Sequence, residues 1–232
     1  MKILSLDTAS RSCSVAVVDD ETVVAELTVN HGRTHTEVLM GMIQRALGMG
    51  DLSISDVDGF AATIGPGSFT GLRIGLSSVK GLAVATKKPL VGVSTLEALA
   101  YGVSFSQKLI CPMLDARRGE VYTAGYRFEE HNIITVFEPR AIAPDLAVEN
   151  IKEPCILVGD GALKYKDVFV DKIGLLIMFA SPAHNFIRAS NVASLAMPRF
   201  EKKDTDDVDR LVPFYIRKSD AEKHIKLNAV TL

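Results

Sequence analysis

Cysteine is scarce in this chain: Cys13, Cys111 and Cys155 are scattered through 232 residues and form no Cys-x-x-Cys pair. Their odd number and wide spacing argue against a disulfide framework and for a reducing compartment. Charge of one sign is scarce as well. The net charge is −2 and the pI is near 6.2, so the isolated chain lacks the electrostatic footprint of a nucleic-acid binder, and any RNA role needs a basic partner. No apolar run approaches the ~20 residues of a membrane span. Met1-Lys2 opens straight into a strand, with no targeting segment, which places the chain in the cytoplasm and off the membrane. The zinc-peptidase signature His-Glu-x-x-His does not occur.

What is present is an ordinary globular composition, 47% hydrophobic and 23% charged, in a chain long enough for one large domain or two lobes. Its most distinctive stretch is Ile64-Gly65-Pro66-Gly67-Ser68-Phe69-Thr70-Gly71-Leu72-Arg73-Ile74-Gly75. Before it, Gly59 to Ile64 is a short apolar run of interior-strand type. After the glycine turn, Ser68 or Thr70 can cap a helix over Thr70 to Thr86. A strand, a glycine turn and a helix start make a seat for an anion or for a partner's carbonyl. The helix carries Gly71, Gly75, Ser77, Ser78 and Gly81. Interior glycines cost about 1 kcal/mol each relative to alanine, so this many small residues predict close backbone packing.

Strands are expected at Lys2 to Leu6 and Cys13 to Val18, joined by Asp7-Thr8-Ala9-Ser10. The pattern returns about 108 residues later, where the apolar run Leu109 to Leu114 leads into Asp115-Ala116 and a strand follows from Gly119 to Tyr126. This echo suggests a duplicated hairpin that begins each of two lobes. Glu21 to Val29 continues the first sheet. Thr34-His35-Thr36-Glu37 fits a capping box. The helix it opens carries an apolar stripe of Val38, Leu39, Met42, Ile43, Ala46 and Leu47, with Met40 and Met49 off it, readable as core or as a partner's seat. His31 and His35 have zinc-like spacing, but the cap leaves His31 outside the helix and no third ligand stands near.

Pro89 to Val93 reads as a strand and Ser94 starts the next helix. In the second half, strands are expected at Val121 to Phe128, Ile133 to Glu138 and Cys155 to Val158, with helices after Pro144, Asp160 and Asn185. Asp115 to Tyr122 is either an exposed turn with two arginines or a charged contact for a partner. Glu201 to Arg210 reads as a solvated connector, Val212 to Arg217 as a segment packing back on the body, and the residues from Ser219 as a frayed tail.

The stretch GPGSFTGLRIG, Gly65 to Gly75, closely resembles one shared by the tRNA threonylcarbamoyladenosine biosynthesis proteins TsaB (YeaZ) and TsaD, in its TsaB form. Val212-Pro213-Phe214-Tyr215-Ile216-Arg217 resembles the Pro-x-Tyr-x-Arg element near the TsaB C-terminus. The resemblance implies an α/β fold of the duplicated, two-lobed kind of actin, sugar kinases and heat-shock ATPases. Its parts would be an N-terminal lobe at 1–101, a C-terminal lobe at 102–210 and a segment at 211–232 that packs back. In those ATPases an aspartate and a hydroxyl-rich hairpin face the phosphates and metal of ATP, the place of Asp7 and Thr8 here. Ala9 stands where they have glycine, and an Asx-type turn built on Asp7 is the other reading. Gly159-Asp160-Gly161 is similar to their adenosine loops, although any strand-to-helix turn favours such residues. Asp7, Thr8, Gly65, Pro66, Gly67, Ser68, Phe69, Thr70 and Arg73 would then shape a degenerate nucleotide cleft or a partner loop.

In TsaD, two histidines of a His-His-Met-Glu-Gly-His stretch bind the active-site metal; Thr95 and Leu99 take their positions here, and neither can replace an imidazole ligand. The resemblance therefore implies a non-catalytic, metal-free subunit with no cofactor of its own, a nucleotide at the TsaD interface being compatible with it. It would support threonylcarbamoyl transfer to the adenosine next to the anticodon of tRNAs reading codons that begin with A. Its partners would be a TsaD-like transferase and a TsaE-like ATPase, with tRNA met only through the complex and a homodimer when alone. The interface would use His35, Val38, Leu39, Met42, Ile43 and Ala46. The alternative is an enzyme in its own right, either a nucleotide-dependent member of the ATPase superfamily or a glycoprotease-like peptidase. For the first, Asp7 is the one plausible acidic metal contact; for the second, Ser68 would need one of five scattered histidines.

Overall fold

Lys2–Asp7 (β1) is buried from Ile3 onward and seeds the first sheet of this computed structural model, which describes residues 1–30, 34–129 and 132–217. His31 and the tail from Ser219 lie outside the described residues. Cys13–Asp19 (β2) returns antiparallel, with Leu6 opposite Val15, and Thr22–Val29 (β3) pairs with it as the outer strand. On the other side of β1 run two parallel strands, Gly59–Gly65 (β4) and Leu90–Ser94 (β5). Strands covered on both faces carry near-continuous apolar sequence, which is why β1, β2 and β4 are legible as simple hydrophobic runs.

The second sheet repeats this plan. Leu109–Arg117 (β6) pairs antiparallel with Glu120–Glu129 (β7), which pairs antiparallel with Asn132–Ile142 (β8). Parallel to β6 lie Cys155–Val158 (β9) and then Ile177–Phe179 (β10). The orders β3-β2-β1-β4-β5 and β8-β7-β6-β9-β10 match strand for strand. The echo between Leu6-Asp7 and Leu114-Asp115 thus belongs to a duplicated five-stranded unit, and the two-lobed α/β fold implied by the resemblance is the one observed.

Helices His35–Met49 (α1) and Phe69–Thr86 (α2) cover one face of the first sheet, joining Leu4, Leu6, Val15 and Phe60 in one core. Thr95–Tyr101 (α3), from the first half, packs on β6 and β7 of the second sheet. Ala189–Glu201 (α7), from the second half, packs on β1, β2, β4 and β5 of the first. This exchange builds a central core from Leu96, Leu99, Val192 and Ala196 between Ile3, Ile110 and Tyr126. Polar bonds seat the start of α7. Ala189 N donates to Ser14 Oγ at 3.0 Å, Ser5 Oγ donates to the Ala189 carbonyl at 2.7 Å, and the buried Glu26 carboxylate holds Arg188 and Ser190. Outside the second sheet, Pro144–Ala147 (α4), Asp160–Lys164 (α5) and Lys166–Ile173 (α6) complete the fold.

Two expectations about α1 are corrected. Thr34 is the N-cap by backbone conformation but its hydroxyl makes no cap bond, because Glu37 N donates to the Thr34 carbonyl instead, at 3.1 Å. A reciprocal capping box forms at Ser53 and Asp56. The stripe Leu39, Met42, Ile43 and Ala46 is buried in the chain's own core, with His35 and Val38 half-buried beside it. Leu39, Met42, Ile43 and Ala46 thus face the chain's own sheet and not solvent, since helical periodicity reveals a stripe without revealing what covers it.

The small residues of α2 divide by surroundings. A Cβ on Gly71 would overlap the Thr8 carbonyl oxygen, and one on Gly75 the Thr8 hydroxyl; one on Gly81 would meet open space. Gly71→Ala is therefore expected to destabilise the protein by about 2–3 kcal/mol, as overpacking does, lowering the melting temperature by roughly 5–10 °C at this chain size. Gly81→Ala is expected to stabilise it by up to about 1 kcal/mol through helix propensity. Thermal unfolding followed by circular dichroism distinguishes the two, and equal melting temperatures would contradict the packing described.

Candidate functional site

The loop between β4 and α2 is held from both sides. The Gly65–Pro66 peptide is cis and Gly65 has φ +130°, a conformation closed to other residues at little cost. A Cβ there would also overlap the carbonyl oxygen of Phe214. Phe214 N donates to the Ile64 carbonyl at 2.7 Å, so the C-terminal segment lies directly on the loop. From the other side, Ser68 N donates to the Ala9 carbonyl at 2.7 Å, and a Cβ on Gly67 would overlap the same oxygen. Ser68 then caps α2, its Oγ accepting from Gly71 N at 3.2 Å.

Asp7 is sealed beneath this contact. Its Oδ1 accepts from Ala9 N at 3.1 Å and from Thr63 Oγ1 at 2.7 Å, while Oδ2 is buried without a hydrogen-bond partner. It forms the Asx-type turn of the first hairpin. Thr8 is buried too and donates to the Gly71 carbonyl at 2.7 Å. The second hairpin repeats the turn, with Asp115 Oδ1 accepting from Arg117 N at 3.0 Å. His35 braces the first hairpin through Nε2, 2.9 Å from the Ser10 carbonyl.

Between the hairpins opens a cleft of about 440 Å³. Ser10, Arg11, Ser68 and Thr70 line it from the first lobe, and Asp115, Arg117 and Asp160 from the second. Tyr215 and Arg217 close a third side. Phe69 stacks on Tyr215 with ring centroids 5.0 Å apart, Arg73 lies 3.8 Å over the Phe69 ring, and Arg73 Nε donates to Tyr215 Oη at 3.2 Å. Arg217 reaches the second lobe, donating to Glu120 Oε2 at 2.6 Å and to the Ala116 carbonyl at 2.9 Å. The segment from Phe214 to Arg217 thus straps the β4–α2 loop to the second hairpin.

Of the residues selected from sequence, Gly67, Ser68, Phe69 and Thr70 reach the cleft. Asp7, Thr8, Gly65 and Pro66 are buried behind it, and Arg73 sits on the outer side of the aromatic stack. Asp160, in the loop similar to an adenosine loop, also lines the cleft, whereas Arg11, Tyr215 and Arg217 are walls that the sequence does not mark as such, although Pro-x-Tyr-x-Arg marks the last two as a unit.

The geometry does not fit the ATP and metal that the fold class implies. The Ala9 carbonyl occupies the loop N–H of Ser68 that an anion would need, and the Asp7 carboxylate has no route to the cleft. A serine nucleophile fits no better. Ser68 Oγ is engaged as a helix cap, and among the described residues no histidine lines the cleft. Thr95 and Leu99 lie in the core. Among the described residues, no group of three or more His, Cys, Asp or Glu could hold a metal ion.

Burial raises the Asp7 carboxyl from 3.8 to about 7, partly opposed by the bonds from Thr63 and Ala9. Burial also raises Asp160, and pushes the Cys13 thiol up to about 12 with the Asp7 charge adding to it. A carboxyl raised in the folded state contributes stability below its unfolded value and loses it as pH rises through the folded one. The Asp7 contribution is thus lost between about pH 4 and pH 7, a change on the order of a few kcal/mol. Asp7→Asn keeps the Oδ1 acceptor without the charge. Urea unfolding across this range should show the variant gaining on the parent as pH rises, and identical pH profiles would contradict a sealed Asp7.

Comparison with known proteins follows the same line. The family profile described as TsaD, tRNA N6-adenosine threonylcarbamoyltransferase, matches residues 23–225. The tRNA threonylcarbamoyladenosine biosynthesis protein TsaB of Escherichia coli (strain K12) is 33% identical over 234 residues, covering 97% of this chain and 98% of its own. Its counterpart of the same name in Bacillus subtilis (strain 168) is 31% identical over 225 residues, 96% of each chain. Among solved structures, YeaZ from Pseudomonas aeruginosa matches with a TM-score of 0.79 at 25% identity, over 92% of this chain and 99% of that one. On this similarity, spread over both lobes, the chain belongs to the TsaB (YeaZ) family, within the wider family whose profile carries the TsaD description.

Proposed function

We propose that this chain is a non-catalytic subunit for the formation of N6-threonylcarbamoyladenosine next to the anticodon of tRNA. It binds a TsaD-like transferase, which a TsaE-like ATPase joins, and holds the transferase in its working state. The observation that carries this reading is the closed contact between Ala9 and Ser68 above a sealed Asp7. It leaves the chain with the architecture of a nucleotide-dependent enzyme and without the groups to run one. Thr95 and Leu99, which by the resemblance stand where TsaD has metal-binding histidines, lie buried in the core and support the same reading.

The face of α1 turned away from the core is the one we assign to the partner. Gly41 and Gly48 face open space along its middle, and Met40 and Met49, 47% and 68% exposed, flank it on opposite sides. Methionine adapts to different partners, and near-bare glycines let another helix approach closely. The same face would serve an isologous homodimer when the transferase is absent. No helix of the described residues is long and apolar enough to cross a membrane.

Threonylcarbamoyl transfer to tRNA by purified TsaD and TsaE, supplied with the adenylate-forming enzyme, is expected to require this chain, which alone makes no product. Met40→Glu combined with Met49→Glu should lower product at least tenfold and abolish co-elution with TsaD without lowering the melting temperature. Product formed equally without the chain would overturn the reading. Unchanged co-elution of the double variant would overturn the assigned face.

A further inference from the structure

We infer that the cleft between the two hairpins takes an unstacked nucleotide of the RNA substrate, its phosphate held by Arg11 and Arg117 and its base stacked on Tyr215. The inference rests on the proposed function, and it names a direct RNA contact where the sequence alone calls for a basic partner.

The cations of the cleft divide into those already used and those open. Arg217 is committed to the wall, pairing with Glu120 and donating to the Ala116 carbonyl. Arg11 is exposed and pairs with no carboxylate among the described residues. The Arg117 side chain is 70% exposed and stands 3.7 Å from Asp115, whose other partner, Lys164, is nearer at 2.9 Å. Lys164 and Arg117 approach the same oxygen, Asp115 Oδ2, with Lys164 as the closer partner, and Arg117, exposed and farther off, keeps donors for a ligand. Asp160 is hydrogen-bonded to Asp115 N at 3.0 Å and disfavoured as an anion by its burial. The cleft thus presents positive charge at its mouth although the chain as a whole is acidic.

Tyr215 supplies the second half of the chemistry. One of its faces is backed by Phe69, which is backed in turn by Arg73, and the Tyr215 hydroxyl accepts from Arg73. A ring fixed in this way is a pre-organised platform, and stacking on an aromatic ring is how unpaired bases are held irrespective of sequence. A volume of about 440 Å³ lies in the range of pockets that enclose small ligands and admits one nucleotide unit. An acidic peptide would use the arginines and leave the platform idle. A free nucleoside triphosphate with its metal would need a carboxylate in the cleft that is neither paired nor buried, and Asp115 and Asp160 are not that.

The test uses the assembled complex with the transferase, and an unmodified anticodon stem-loop RNA whose binding is read by fluorescence anisotropy beside the KM for tRNA. Arg11→Ala and Tyr215→Ala are each expected to weaken stem-loop binding and raise KM about five- to tenfold, with kcat and co-elution unchanged. Tyr215→Phe should remain close to the parent. Arg11→Ala should also shallow the salt dependence of binding by about 0.7 in the log–log slope, as loss of one phosphate contact on a single strand does. Unchanged anisotropy and salt slope in Arg11→Ala, which alters only an exposed side chain, would overturn the inference. Displacement by poly-glutamate at low salt with no effect of Tyr215→Ala would assign the cleft to an acidic peptide and overturn it as well. If product forms without this chain, the subunit reading fails, while the anisotropy arm still decides the RNA contact by itself.

Discussion

One backbone hydrogen bond, from Ser68 N to the Ala9 carbonyl at 2.7 Å, organises the N-terminal lobe. It draws the first hairpin onto the loop before α2, and that proximity is possible only because residues 67, 71 and 75 are glycines pressed against Ala9 and Thr8. The same contact buries Thr8 and Asp7 and orients the start of α2. It also occupies the donor that a loop of this kind would otherwise offer an anion. A buried carboxyl with one unpartnered oxygen is a standing cost. The chain tolerates it where an enzyme of this architecture would place a group that acts on a ligand.

The second constraint is the way the halves are joined. Each repeat ends in a helix that packs on the other repeat's sheet, so α3 and α7 share one core with strands of both lobes. The buried bonds of Ser5 and Ser14 and the half-buried ones of Glu26 to the start of α7 tie that core to the first sheet. The strap from Phe214 to Arg217 closes the cleft's remaining side by linking the β4–α2 loop to the second hairpin. Two lobes pinned at the core and at the rim suit a subunit that presents fixed surfaces better than one that must close over a substrate.

Much of the fold was legible in the sequence because its strands are buried on both faces and read as apolar runs; Cys155 to Val158 is observed with the limits expected. The duplication was legible in one apolar run ending in aspartate, since the turn after each run uses that carboxylate in the same way. The rest depended on distant contacts. Periodicity found the α1 stripe but not the sheet that covers it. Nothing in Ala189 to Glu201 declares that it crosses to the first sheet, and β10 is only three residues, an exposed Met178 between half-buried Ile177 and Phe179, too short for a pattern. Asp7 was an open choice between a ligand contact and a turn, because composition does not report burial. Tyr215 and Arg217 became cleft walls only when the chain returned to a loop some 150 residues earlier.

With the Ser68 N–H taken by the Ala9 carbonyl and Asp7 buried, the expected property of the isolated cleft is that it binds no nucleotide phosphate. It is tested most directly by titrating the isolated chain with ATP and magnesium in a calorimeter. The account predicts no saturable heat at millimolar nucleotide, and none in a variant with glycine at position 9, because Asp7 stays sealed by Thr63. Saturable binding to the parent chain that is lost in Asp7→Asn would contradict it and return the cleft to the nucleotide-dependent enzymes whose fold it shares.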